Sequence, residues 1–157
     1  MQMSTGSRGF YLITDKLKDE LIADETVNTV SYGDITQVDL SKQTIFPLAH
    51  VMINFVSHQE RILSFNITVM TMDIVDQSKE TTIDLYVDND NEQDVLNTQL
   101  AVINRLLERL RSGTLYKDKY QLEGSPTCEP FVDRFENKIA GWATTFDVII
   151  QNDIYIC

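Results

Sequence analysis

From Glu92 to Arg111 the apolar side chains return every three or four residues. Leu96, Leu100, Ile103, Leu107 and Leu110 make a stripe that Val95, Val102 and Leu106 widen. That period belongs to one face of a helix of roughly five turns, and such a face must be buried against another element. Acidic residues precede the stripe, and Arg105, Arg109 and Arg111 close it, as the helix macrodipole prefers. Asp90 or Asn91 is placed to cap its start, and Gly113 to occupy the position just past its end.

A second helical period runs from Gly9 to Ala23, with Phe10, Ile13, Leu17 and Leu21 on one side and Lys16, Lys18, Asp19 and Glu20 on the other. Ser7 is its expected N-cap. The helix should fade by Asp24, because Thr26, Val27, Thr29 and Val30 are β-branched. A polar connection from Ser31 to Thr44 follows, with a turn signal at Tyr32-Gly33-Asp34.

After Pro47 the period changes to two. Val51, Ile53 and Phe55 alternate with His50, Met52 and Asn54, the pattern of a half-buried strand. Ser57 to Arg61 reads as a hairpin turn. The next strand carries Leu63, Phe65, Ile67 and Val69 on one face, and then the parity slips to Met70, Met72 and Ile74. Such a slip means a bulge or a strand that runs off the core onto another surface; we read the second. Ile83 to Val87 suggests a short edge strand. Residues 113–138, with Gly124, Pro126 and Pro130, read as a long irregular loop. The final strand spans Ala140 to Ile156, with Trp142, Phe146, Val148 and Ile150 on one face and Thr145, Asp147 and Gln151 on the other. These elements predict one α+β domain over residues 1–157. Its sheet is mainly antiparallel, of about four strands, with two amphipathic helices packed on one face.

Charge narrows the function classes. Thirteen Lys and Arg stand against 24 Asp and Glu, a formal net charge of -11. A free nucleic-acid binder needs a basic face to neutralise phosphates, so tight wrapping of DNA is disfavoured. A surface past which DNA slides without sticking fits the same charge. Cys128 and Cys157 form no CxxC pair and read as free thiols of a reducing compartment. The polar stretch Met1 to Phe10 lacks the apolar region of a secretory signal, and no apolar run is long enough to span a bilayer, so the expected site of synthesis and residence is the cytoplasm.

The chemistry-bearing residues are sparse. His50 and His58 stand in no zinc-binding spacing and read as surface or interface histidines. No Gly-x-Ser-x-Gly elbow and no glycine-rich phosphate loop is present, and Cys128 has no basic neighbour in sequence. The acidic run Asp88 to Asp94 has oxygen ligands at alternate positions like a calcium loop. It carries Gln93 and Gln99 where such a loop needs Gly and Glu, so helix capping is the better reading. Asp147 and Asp153 are expected on a solvated face. No catalytic, cofactor-binding or metal-ligating residue is assigned, and the chain is read as non-catalytic. An acidic, metal-assisted site around Asp88 and Asp90 is the enzymatic alternative.

The layout, an amphipathic helix, a polar connection, Phe46-Pro47-Leu48-Ala49-His50 leading into a strand, a long hairpin, an acidic loop into a Leu-rich helix, and a closing strand through Gly141-Trp142-Ala143-Thr144-Thr145-Phe146-Asp147-Val148, resembles the tail terminator and tail-completion (neck) proteins of tailed bacteriophages. The resemblance covers most of the chain and is one of layout and size. It implies a virion structural protein that forms a homo-oligomeric ring, usually a hexamer, at the head–tail junction. Such a ring caps the tail tube, meets the connector and lets DNA pass through its lumen without specific binding. It implies no catalytic residue. The alternative is a cytoplasmic protein-binding or adaptor module using the same surfaces.

Overall fold

The computed structural model describes residues 8–38, 43–75, 92–112, 120–134 and 138–152. Along the chain lie α1 (Gly9–Ile22), β1 (Thr29–Tyr32), two single-turn 3-10 helices (Ile35–Gln37 and Gln43–Ile45), β2 (Leu48–Gln59) and β3 (Ile62–Ile74). After them come α2 (Glu92–Ser112), β4 (Gln121–Glu123), β5 (Cys128–Arg134) and β6 (Lys138–Gln151). The architecture is α+β. Among the described residues six strands form one mixed sheet in the order β1-β2-β3-β6, with β4 and β5 sharing the far edge of β6.

The expected count of about four strands is exceeded because three short ones were hidden. The β-branched residues that end α1 build β1, which runs parallel to β2 from Thr29↔Leu48 to Tyr32↔Val51. The span read as irregular, 113–138, contains β4 and β5. Pro130 obscures β5 in the sequence, yet an edge strand tolerates a proline because one side of its backbone needs no partner. The hairpin turn is also tighter than Ser57–Arg61: β2 continues to Gln59, and Arg61 turns the chain at φ 63.

Both helices pack on one face of the sheet. Ile13, Leu17 and Leu21 of α1 and Val102, Leu106 and Leu110 of α2 share a core with Val51, Phe65, Ile67, Val69, Phe146, Val148 and Ile150. Along α1 the buried line is Gly9, Ile13, Leu17 and Leu21, spaced by four. Phe10 lies beside that line and is 45% exposed, so its assignment to the core stripe is corrected. Ser7 lies outside the described residues; Arg8 holds the cap position without a side-chain bond.

The parity slip after Val69 is a strand with two buried faces. The β3–β6 ladder runs without a break from Ile62↔Gln151 to Ile74↔Ile139. Thr71 stays on the helix side, where its hydroxyl donates to the Gln99 carbonyl at 3.0 Å. Met72 points the other way, into a second cluster with Phe46, Leu48 and Ile139, covered by Ile35, Val38 and Ile45. The irregularity sits in β2 instead. Ile53 pairs with Ile67 and Phe55 with Asn66, so Asn54 is an extra residue and Phe55 leaves the face of Val51 and Ile53.

Candidate functional site: an aromatic groove beside an open sheet edge

β1 covers β2 only from Leu48 to Val51. Beyond that point, among the described residues, no strand pairs with the outer edge of β2 up to Gln59. Unpaired edges of this length are templates for another strand, and proteins normally blunt or cover them. The far edge of the sheet is blunted by Pro130 in β5. At the β2 edge the Asn54 bulge is the blunting device, while Phe55 (58% exposed) and Val56 (45%) remain open to solvent.

Where β1 ends, α1 crosses above it and leaves a cavity of about 310 Å³ lined by Phe10, Tyr11, Lys18, Val30, Tyr32 and Val51. Phe10 and Tyr32 meet edge to face, with ring centroids 6.1 Å apart and planes at 83°. Tyr11 and Tyr32 are 66% and 54% exposed. The groove is therefore apolar and aromatic and reaches Val51, where the unpaired stretch of β2 begins. An apolar groove beside a free strand edge is the combination used by surfaces that accept an extended segment. Sequence periodicity could not find it. Phe10 looks like a core residue, and Tyr32 stands in what reads as a polar connection.

Behind the groove lies His50. It is fully buried, which corrects its reading as a surface or interface histidine. Its Nε2 is 2.7 Å from the Gly33 carbonyl, and its Nδ1 is 2.6 Å from the Ser31 hydroxyl. A carbonyl only accepts, so Nε2 carries the proton and Nδ1 accepts from Ser31. Burial pushes the imidazole pKa below its ordinary value, opposed by the Gly33 bond and the nearby Asp34 carboxylate. Asp34 caps the following 3-10 turn, and the Thr36 N–H that it accepts holds its carboxyl below the ordinary range. His58 is exposed in β2.

The three arginines are accounted for inside the molecule. Arg105 forms a two-bond pair with Asp24, and Arg109 donates to Glu20 at 3.0 Å. Arg111 donates to the Gly124 carbonyl at 3.3 Å. Arg109 and Arg111 do occupy the last turn of α2, as dipole complementation requires, but Arg105 belongs to a tertiary ion pair. Asp147 is half-buried and accepts from Asn66 at 2.9 Å, within a polar band in which Asn54 reaches Asn66 and Thr68, and Thr68 meets Thr145. Cys128 is a half-buried free thiol.

Asp88, Asp90, Asn91, Gly113, Asp153, Cys157 and the expected strand 83–87 lie outside the described residues. Among the described ones, no group of three or more His, Cys, Asp or Glu is arranged to hold a metal ion. No helix among them is long and apolar enough to cross a membrane. No protein-family model matches the chain, and no curated protein matches it.

Proposed function

We propose that this chain is a virion structural protein of the bacteriophage neck or tail, acting like a tail terminator that closes into a ring at the head–tail junction. The observation that carries the reading is the aromatic groove at the open β2 edge. Phe10 and Tyr11 of α1 and Tyr32 of β1 expose apolar surface at the groove, and Phe55 and Val56 expose more of it farther along β2. Exposed apolar surface beside an unpaired strand marks a contact with another chain. A groove on one side of the molecule, meeting a different surface of the next copy, is a heterologous contact, and such contacts close into rings when the rotation permits. The charge of -11 suits a lumen through which DNA moves without being gripped. In this reading the ring acts by shape and contact, with the tail tube and the connector as neighbours and the virion as its location.

The same groove would serve an adaptor that binds one heterologous protein, and mass separates the two. Light scattering across a concentration series is expected to show a discrete species on the order of six times 18.0 kDa. A monomer at every concentration that is also missing from purified particles would overturn the ring in favour of the adaptor.

A further inference from the structure

His50 is joined to only one neighbouring segment through its ring. Ser31 and Gly33, the two residues it bonds, both belong to β1 and the turn that follows it, whereas the imidazole itself stands on β2. The same junction carries the β1–β2 ladder and backbone bonds from the Asn28 and Thr29 N–H groups to the Pro47 carbonyl and from Gly33 N–H to the Val51 carbonyl at 3.0 Å. β1 is four residues long and pairs with nothing else in the described sheet. β2 is held on its other side by a long ladder to β3. The imidazole therefore adds a side-chain link across a short seam at the edge of the sheet.

We infer that His50 is an acid-released clasp: protonation of the buried ring detaches β1 and the Tyr32-Gly33-Asp34 turn from β2. A neutral ring satisfies both contacts, donating from Nε2 and accepting at Nδ1. A protonated ring carries a full charge in a position with no solvent exposure. The charged group that faces it is Asp34, from the turn; β1 and β3 present Ser31 and Met70, which carry no charge. Asp34 is itself exposed and engaged with Thr36, so it compensates a buried cation only in part. The ring can regain water most cheaply by releasing the segment to which both its nitrogens are tied. Val30 and Tyr32 leave with that segment, so the aromatic groove is dismantled and the free edge of β2 lengthens by the stretch that β1 had covered. The inference stands on the clasp geometry and holds whether the groove meets another copy or a different protein.

Amide hydrogen exchange of the whole chain at pH 7.5 and pH 5.5, corrected for intrinsic rates, tests it. An opened segment whose histidine titrates near 6.5 should lose about tenfold in protection across that interval. The loss is expected at Thr29, Ser31 and Gly33, the β1-side amides that face β2, and not at Ile67 in the β3–β6 ladder. His50→Gln, which cannot titrate, should abolish it. Asp34→Asn keeps a capping oxygen and removes the partial compensation of the buried cation, so it should leave the onset of the loss in place and deepen it as pH falls further. Unchanged protection in the wild-type chain, an equal loss in His50→Gln, or a loss shared by the central ladder would each overturn the clasp. Should His50→Gln not fold, the wild-type chain decides: protection at β1 must begin to fall as pH drops through the ordinary histidine range, and a ring that NMR shows to become protonated while β1 protection stays unchanged would overturn the inference.

Discussion

Arg105 on α2 holds Asp24, just beyond α1, through two near-parallel bonds: Nε to Oδ2 at 2.7 Å and Nη2 to Oδ1 at 2.9 Å. The carboxylate is buried, while the arginine side chain is 43% exposed. Asp24 also accepts the Thr26 N–H at 3.0 Å, so one side chain ends α1, shapes the entry to β1 and ties both to α2. Burial alone would raise its pKa, but the Arg105 and Thr26 bonds outweigh that and hold it below the ordinary range. Asp24→Ala should cost about 1–2 kcal/mol at neutral pH, toward the low end of charge-assisted bonds because Arg105 is partly solvated. Its folded pKa lies below its unfolded one, so the contribution is complete above the unfolded value and fades as pH falls through the folded one. Urea melts of both chains at pH 7 and pH 3 check this; the gap between them should shrink in acid.

At Gly141 the backbone of β3 leaves no room for a side chain on β6. A Cβ there would collide with the Thr71 carbonyl and the Met72 Cα, both backbone atoms that cannot rotate away. Gly141→Ala should therefore destabilise by about 3 kcal/mol, the upper range of overpacking, as read from the shift in the denaturation midpoint. Alanine in the middle of a strand ordinarily helps slightly, so the opposite sign would mean that the strands separate more easily than this packing implies.

Gln99 points from α2 toward the sheet and is 1% exposed. Among the described residues its side-chain oxygen and nitrogen have no hydrogen-bond partner. A buried amide without partners costs more than an apolar group of the same size. Gln99→Met keeps the volume and removes the polar atoms, and it should raise stability by about 1 kcal/mol in thermal or urea melts. The Thr71 bond is unaffected, since it uses the Gln99 backbone carbonyl.

Asp73, near the end of β3, behaves in the opposite sense to Asp24. Burial raises its pKa, and the bond from the Ile74 N–H opposes that rise only in part. Its folded pKa lies above the unfolded one, so ionisation disfavours the folded chain and the penalty disappears as pH falls through the folded value. Asp73→Asn keeps an acceptor for Ile74 and should stabilise the protein at pH 7, with the advantage vanishing in acid. Paired melts at the two pH values report the sign directly.

The sequence by itself determined the elements whose burial follows a simple period. The helix of α2, the apolar face of β3 from Leu63 to Val69 and the apolar face of β6 follow from their spacing, because an element with one apolar face has a single way to bury it. Along α2 the buried line is Val95, Gln99, Val102, Ile103, Leu106 and Leu110, with Leu96, Leu100 and Leu107 half-buried beside it. The tertiary structure alone decided the rest. β1 is four residues long and parallel, and its Ser31 meets the imidazole of a residue nineteen positions later. The second face of β3 is buried only because the 3-10 segment around Ile35 and Ile45 folds over it. The groove joins Phe10 to Tyr32 across a helix and a strand. Period describes one element against an average core, whereas each of these features is a contact between particular side chains distant in sequence. Nothing in the local pattern records which neighbour will arrive.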